Sequence, residues 1–125
     1  MAGKRLLVIE DDPANLRLMV LLLKAAGHQV TGASNGEAGL EAARRELPDL
    51  ILCDGRMPDM TGFEVARQIR SDATTSGIPM IAVTGLARDG DRGELLEAGF
   101  NGYIVKPFDV KTFATQVAGF LPGGD

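Results

Sequence analysis

The sequence predicts a doubly wound α/β domain: a parallel sheet with helices on both faces. Three observations predict it. Short apolar runs alternate with helix-period segments five times along 125 residues. Leu6-Leu7-Val8-Ile9, Leu50-Ile51-Leu52-Cys53 and Met80-Ile81-Ala82-Val83 are apolar throughout, as strands buried on both faces are. Strands that alternate with helices require right-handed crossovers, which lay the helices over both faces of the sheet.

Arg5–Ile9 reads as the first strand. Asn15, Leu18, Met19, Leu22 and Leu23 then recur at helical spacing, Pro13 suits a first helical turn, and Gly27 suits the residue past a helix end. Residues 28–31 form a short second strand. Ser34-Asn35-Gly36 leads into a second helix over 37–46. After Pro48, residues 49–53 form the third strand, and residues 63–70 the third helix with Thr61 as its N-cap. A polar loop over 71–77 precedes the fourth strand at 80–83. The fourth helix covers 88–97 and is closed by Gly99. The fifth strand is 103–105, and the last helix covers 110–120 with Asp109 as its N-cap.

Composition narrows the function without naming it. A net charge of −4 disfavours direct nucleic-acid binding, which needs a basic face. No apolar stretch reaches the roughly 20 residues of a membrane span, because Arg17 and Lys24 interrupt the longest one. Lys4-Arg5 precedes only a strand-length apolar run, so no signal peptide is read. The single Cys53 forms no intrachain disulfide and fits a reducing, cytoplasmic setting; it reads as a small buried hydrophobe. With no linker, repeat or low-complexity tract, residues 1–125 read as one domain without an output domain.

The strand ends carry the chemistry. The first run ends in Glu10-Asp11, the third strand in Asp54, the fourth in Thr84 and the fifth in Lys106-Pro107. In open α/β sheets the ligand crevice lies outside the carboxyl ends of the strands. Three carboxylates, a hydroxyl and an ammonium are therefore expected at one edge of the sheet.

The motifs Leu7-Val8-Ile9-Glu10-Asp11-Asp12, Asp49-Leu50-Ile51-Leu52-Cys53-Asp54, Met57-Pro58-Asp59-Met60-Thr61-Gly62, Val83-Thr84-Gly85 and Lys106-Pro107-Phe108 together resemble response regulator receiver domains over nearly the whole chain. Stand-alone, single-domain receivers are the nearest pattern. The resemblance implies a flavodoxin-like (βα)5 sheet of strand order 2-1-3-4-5. It also implies a phosphoacceptor, not an enzyme: Asp54 takes a phosphoryl group from a histidine kinase or phosphotransfer protein. Asp11, Asp54 and the backbone carbonyl of Arg56 would hold Mg²⁺, with Glu10 acting through water. Lys106 matches the phosphate-pairing lysine, Thr84 the switch hydroxyl and Tyr103 the rotating aromatic, although Tyr103 also reads as plain packing. The Lys106-Pro107 bond would be cis by resemblance, against the trans preference of X-Pro bonds. Asp12, one position past the acid pair, reads as a helix cap or first-turn acid.

The chemistry agrees with the resemblance. Phosphoryl transfer needs charge neutralisation and in-line positioning more than covalent machinery. Clustered carboxylates repel one another and favour a hard divalent cation. A hydroxyl at position 84 could bond a phosphoryl oxygen that is absent before reaction, which is the differential contact a switch requires.

Some residues depart from the family pattern. Gly55 stands where a larger apolar residue is usual, loosening the loop or letting a helix approach. Arg56 is expected to pair with phosphate or with Glu10. Leu86 is expected to restrict an attacking water, so slow self-dephosphorylation follows. Gly85, Gly90 and Gly93 weaken the segment 85–93, each interior glycine costing roughly 1 kcal/mol, and that segment is expected to order or shift on activation. The fourth helix, fifth strand and fifth helix would form the face for a downstream protein effector. The first helix around Ala14, Asn15 and Leu18, with the loop after Lys106, would receive the kinase. The protein would be a monomer or weak homodimer. A metal-dependent aspartyl-phosphate phosphatase is a rival reading, but it would want a second acid where Arg56 stands. A phosphorylation-independent interaction module would have lost the acceptor, the acid pair or the lysine, and a flavodoxin would not place Glu10-Asp11-Asp12 beside a phosphate.

Overall fold

A computed structural model describes residues 3–85 and 89–121. Its elements run β1 (Arg5–Ile9), α1 (Pro13–Ala25), β2 (Gln29–Ala33), α2 (Gly36–Glu46), β3 (Leu50–Asp54), α3 (Gly62–Ser71), β4 (Met80–Thr84), α4 (Asp89–Ala98), β5 (Gly102–Val105) and α5 (Phe113–Ala118). The strands are all parallel, in the order β2-β1-β3-β4-β5. This is the doubly wound, flavodoxin-like sheet that the sequence predicts.

Period-2 alternation divides the core into two layers. Leu6, Val8, Leu50, Leu52, Ile81, Val83 and Ile104 pack with Met19 and Leu23 of α1 and Phe113 and Val117 of α5. Leu7, Ile9, Ile51, Cys53, Met80 and Ala82 face the other way, onto Leu40 of α2, Val65 and Ile69 of α3, and Leu95 of α4. β3 and β4 are covered on both faces, which is why their sequences are unbroken apolar runs.

The helix ends follow local chemistry. Asp12 caps α1 by accepting a hydrogen bond from Asn15 N–H at 3.0 Å, with Pro13 at the first helical position. α1 closes in a Schellman motif: Gly27 N–H donates to Lys24 O, and His28 N–H to Leu23 O, around a Gly27 φ of 99°. Thr61 and Glu64 form a reciprocal capping box on α3. Leu47 ends α2 in the left-handed region at φ 46°, without the glycine that usually stands there.

Two predicted boundaries are corrected. The second strand is Gln29–Ala33, not 28–31: the Schellman turn takes His28, and parallel pairing with Arg5–Ile9 carries the strand through Gly32 to Ala33. The last helix is Phe113–Ala118, not 110–120. Asp109 caps a tight turn instead, its carboxylate accepting from Lys111 N–H and its carbonyl from Thr112 and Phe113 N–H. The remaining elements lie within a residue of expectation; Arg88, the expected start of the fourth helix, is outside the described residues.

One residue invisible as a structural element in the sequence organises the sheet's other end. Arg70, in the last turn of α3, donates to Gly99 O from Nε (3.0 Å) and Nη2 (2.7 Å), and to Ser76 O and Ile78 O from Nη1. Nη2 also donates to Asn101 Oδ1, which accepts in addition from Met80 N–H at 2.8 Å. One guanidinium thus ties α3, the α3–β4 loop, the end of α4 and the approaches to β4 and β5. Gly99 makes room for it: a Cβ there would lie 2.7 Å from Arg70 Cγ, and its φ of 119° suits glycine.

Arg70→Met is expected to leave several of these carbonyls unpaired and cost about 2–4 kcal/mol, lowering the melting temperature by roughly 10 °C. Leu47→Gly is expected to do the reverse on a smaller scale, gaining about 0.5–1 kcal/mol by relieving the left-handed strain. Thermal and urea unfolding measure both.

Candidate functional site

The strand ends meet as the topology requires. Glu10 follows β1 directly, Asp54 ends β3, Thr84 ends β4 and Lys106 follows β5. Glu10, Asp11 and Asp54 each offer a carboxylate oxygen, all within 4.8 Å of one another. Lys106 Nζ stands 2.7 Å from Glu10 Oε1 and 3.3 Å from Asp54 Oδ1. Glu10 is only 1% exposed, and its other oxygen accepts from Asp12 N–H at 3.1 Å.

The electrostatics are those of crowded negative charge with one ammonium in its midst. Burial pushes the Glu10 carboxyl above its ordinary pKa; repulsion from Asp54 adds to this, and the bonds from Lys106 and Asp12 N–H oppose it. Asp11 is raised by burial, then by hydrogen bonding with Asp54 and repulsion from it. Burial works to lower Lys106, but the bond to Glu10 and the field of Asp54 outweigh it, so its pKa rises and its charge is held. Two carboxyls that resist ionisation beside a third mark a place where added positive charge is stabilising. The donors are hard oxygens, the set that Mg²⁺ or Ca²⁺ takes, so these residues fit a hard divalent cation.

The loop after Asp54 is fixed by close backbone contacts. Gly62 N–H donates to Gly55 O at 3.0 Å, and Arg56 and Thr61 form an antiparallel bridge. A Cβ on Gly62 would lie 2.4 Å from Asp54 O and 3.1 Å from Gly55 Cα. The start of α3 thus sits against Gly55, and it is the missing side chain of Gly62 that makes the room. Asp59 reaches across to α2, accepting from Gly36 and Glu37 N–H at 3.0 Å each. Those donors hold its carboxyl below the ordinary range.

Thr84 is buried at 2% exposure and faces the α4 side of the sheet with Met80 and Ala82. Tyr103 is half-buried on the same side, packed on the α2–α4 core layer opposite Ala82. Lys106-Pro107 is cis. Cys53 is fully buried, and burial followed by repulsion from Asp54 pushes its thiol far up, away from reactivity.

Of the two partners considered for Arg56, phosphate and Glu10, the second is not engaged. Arg56 is exposed and makes no ion pair with Glu10 among the described residues, since Lys106 and Asp12 N–H engage both Glu10 oxygens. Lys106 does pair with Asp54, at 3.3 Å, and lies nearer still to the buried Glu10, at 2.7 Å. Leu86 and part of the segment 85–93 lie outside the described residues. Sequence reasoning missed the Asp59 bridge; an Asp two residues before a Thr-Gly helix start was its only signal.

Comparison with known proteins places these features in a family. The chain is 37% identical over 119 residues to Protein PilH of Pseudomonas aeruginosa, spanning 95% of this chain and 98% of that one. It is 35% identical over 118 residues to the polar-differentiation response regulator DivK of Brucella anthropi, covering 94% and 96% of the two. Response regulator PleD of Caulobacter vibrioides matches at 43% identity over 105 residues, 84% of this chain, but the match spans only 23% of PleD's length. Among solved structures, the chemotaxis response regulator CheY4 of Vibrio cholerae superposes with a TM-score of 0.90 at 26% identity, covering 97% of this chain and 100% of that chain. The receiver domain of a Pseudomonas aeruginosa sensor histidine kinase, described with a magnesium ion coordinated in its active-site cleft, superposes with a TM-score of 0.85 at 34% identity, covering 95% and 98%. The family model described as the response regulator receiver domain matches residues 6–118. The chain thus belongs to the response regulator receiver domains of two-component signalling.

Proposed function

We propose that this receiver is a stoichiometric phosphoacceptor, not a turnover enzyme, in which Asp54 takes a phosphoryl group from a histidine kinase or phosphotransfer protein. The observation that carries this reading is the position of Asp54: at the end of β3, beside two further carboxylates and 3.3 Å from the Lys106 ammonium. In the transfer, an Asp54 carboxylate oxygen forms a bond to phosphorus as the phosphorus–nitrogen bond of the donor phosphohistidine breaks and imidazole leaves. Lys106 balances charge on the transferring group and turns part of its interaction from Glu10 to phosphate. Asp11, Asp54 and the Arg56 carbonyl would hold Mg²⁺, with Glu10 reaching it through water; bound there, the ion supplies charge neutralisation.

Thr84 would report the phosphoryl group by a hydrogen bond available only after transfer, with Tyr103 following on the same side of the sheet. Two surfaces support the partner assignments. Asn15, Leu18, Pro107 and Phe108 line, with Lys106, a cleft of about 320 Å³ beside the acceptor, suited to the incoming donor. Leu96, Val105 and Val110 are 61%, 49% and 49% exposed on α4, β5 and the turn before α5, suited to a downstream protein.

Incubation with Mg²⁺ and acetyl phosphate is expected to add one phosphoryl group by intact mass, and Asp54→Asn is expected to abolish it. An adduct that persists in Asp54→Asn, or none from any small donor or phosphorelay protein, overturns the reading. Mg²⁺ is expected to raise the melting temperature of the unphosphorylated protein, and more so in Lys106→Met, where the carboxylates have lost their ammonium. In EDTA that variant is expected to be about 1–3 kcal/mol less stable than the parent, the cost of leaving Glu10 buried and uncompensated. Equal Mg²⁺ responses in both proteins would contradict the charge argument.

A further inference from the structure

The acidic corner and the two surfaces above leave one large feature unused: an apolar groove of about 550 Å³ between α1 and the edge strand β2. Its floor and wall are Leu16 and Val20 of α1 and Val30 of β2, with Leu21 on the rim at 62% exposure. Gly32 keeps the floor open; a Cβ there would meet Leu16 Cδ1 at 3.2 Å. Arg17, Val20, Leu21 and Lys24 fall at i, i+3, i+4 and i+7, the spacing of one helix face. That face turns away from the Asn15–Leu18 cleft assigned to the phosphodonor.

Charge and shape select the occupant. α1 carries Arg17 and Lys24 and no acid, in a chain of net charge −4. The two cations stand about 10 Å apart along the axis, flanking Leu21, and among the described residues neither forms a salt bridge. Asp11 is the one acid among the lining residues. Every lining residue is exposed or half-exposed, so the groove is shallow. A small molecule seeks a cleft that buries most of its surface; a shallow apolar strip between cations suits the apolar face of a protein segment flanked by carboxylates.

We infer that the α1–β2 groove is a docking site for an acidic amphipathic segment of a partner protein, separate from the faces that receive the phosphodonor and the effector. The apolar side of the segment covers Leu16, Val20, Leu21 and Val30, and its carboxylates pair with Arg17 and Lys24.

The test uses the full chain and two synthetic amphipathic helical peptides with the same leucines, one flanked by glutamates and one by lysines. Binding is followed by amide chemical shifts and titration calorimetry. The acidic peptide is expected to shift amides of residues 16–24 and 30–32. Leu21→Glu is expected to weaken it by at least about tenfold. The double variant Arg17→Glu, Lys24→Glu is expected to reverse the preference, binding the lysine peptide and releasing the acidic one. All three positions are exposed, so folding is retained, and phosphoryl uptake from acetyl phosphate is expected to be unchanged in every variant. Equal binding of both peptides, shifts centred on Leu18 and Phe108 or on Leu96 and Val105, or no binding at all, overturns the inference. A concentration-dependent dimer abolished by Leu21→Glu also overturns it, because a second copy then fills the groove.

Discussion

Parallel strands deliver their carboxyl ends to one edge, and here that edge receives more negative charge than a folded protein can leave uncompensated. Everything around it answers that constraint. Glu10 is buried and needs a cation within hydrogen-bond reach; Lys106, the residue after β5, is that cation at 2.7 Å. The pair joins the residues that follow β1 and β5 across β3 and β4, which stand between those strands in the sheet. Asp54 thus lies against an ammonium already committed to another carboxylate. Such an ammonium can shift between the two carboxylates without leaving either partner in water.

The two faces of the sheet carry separate core layers. Leu52, Val83 and Ile104 pack in the layer of α1 and α5, while Ala82 and Tyr103 belong to the layer of α2, α3 and α4. β4 and β5 run side by side up to this edge, paired at Thr84 and Val105. The loop after Asp54 is bound in the other direction. The Gly62–Gly55 and Asp59–α2 bonds tie it to α2 and α3, so that part of the site is a fixed platform.

Most of this architecture is legible in the sequence because buried parallel strands are continuous apolar runs and helix ends carry their caps. Asp12, Thr61, Gly27 and Gly99 do what their residue types suggest. The misplaced boundaries lie where tertiary pairing overrides local preference. Gly32 is a poor strand former, yet β1 recruits it; Val110 to Thr112 sit in helix period, yet the chain makes a tight turn there. The acidic corner follows in outline from topology, since parallel strands put the residues after β1, β3 and β5 at one edge of the sheet. What sequence cannot provide is the ranking of partners: that Lys106 favours Glu10, that Arg56 turns to solvent, and that Asp59 caps a helix 22 residues earlier in the chain. Arg70 is the clearest case, because a guanidinium that binds distant carbonyls looks in sequence like any basic residue in a last helical turn.

That guanidinium also has a mechanical consequence. It bonds the carbonyl of Gly99, at the C-terminal end of α4, to the body of the protein, while the other end of the helix is joined to the sheet through Thr84 and the residues after it. A rod pinned at one end has a fulcrum. α4 has 10 residues, which makes it about 15 Å long, so a tilt of about 10° about Gly99 would carry its far end through roughly 2.5 Å while the pinned end hardly moved. A small displacement generated beside Thr84 would be expressed as leverage along the helix, not as a sliding of the whole element.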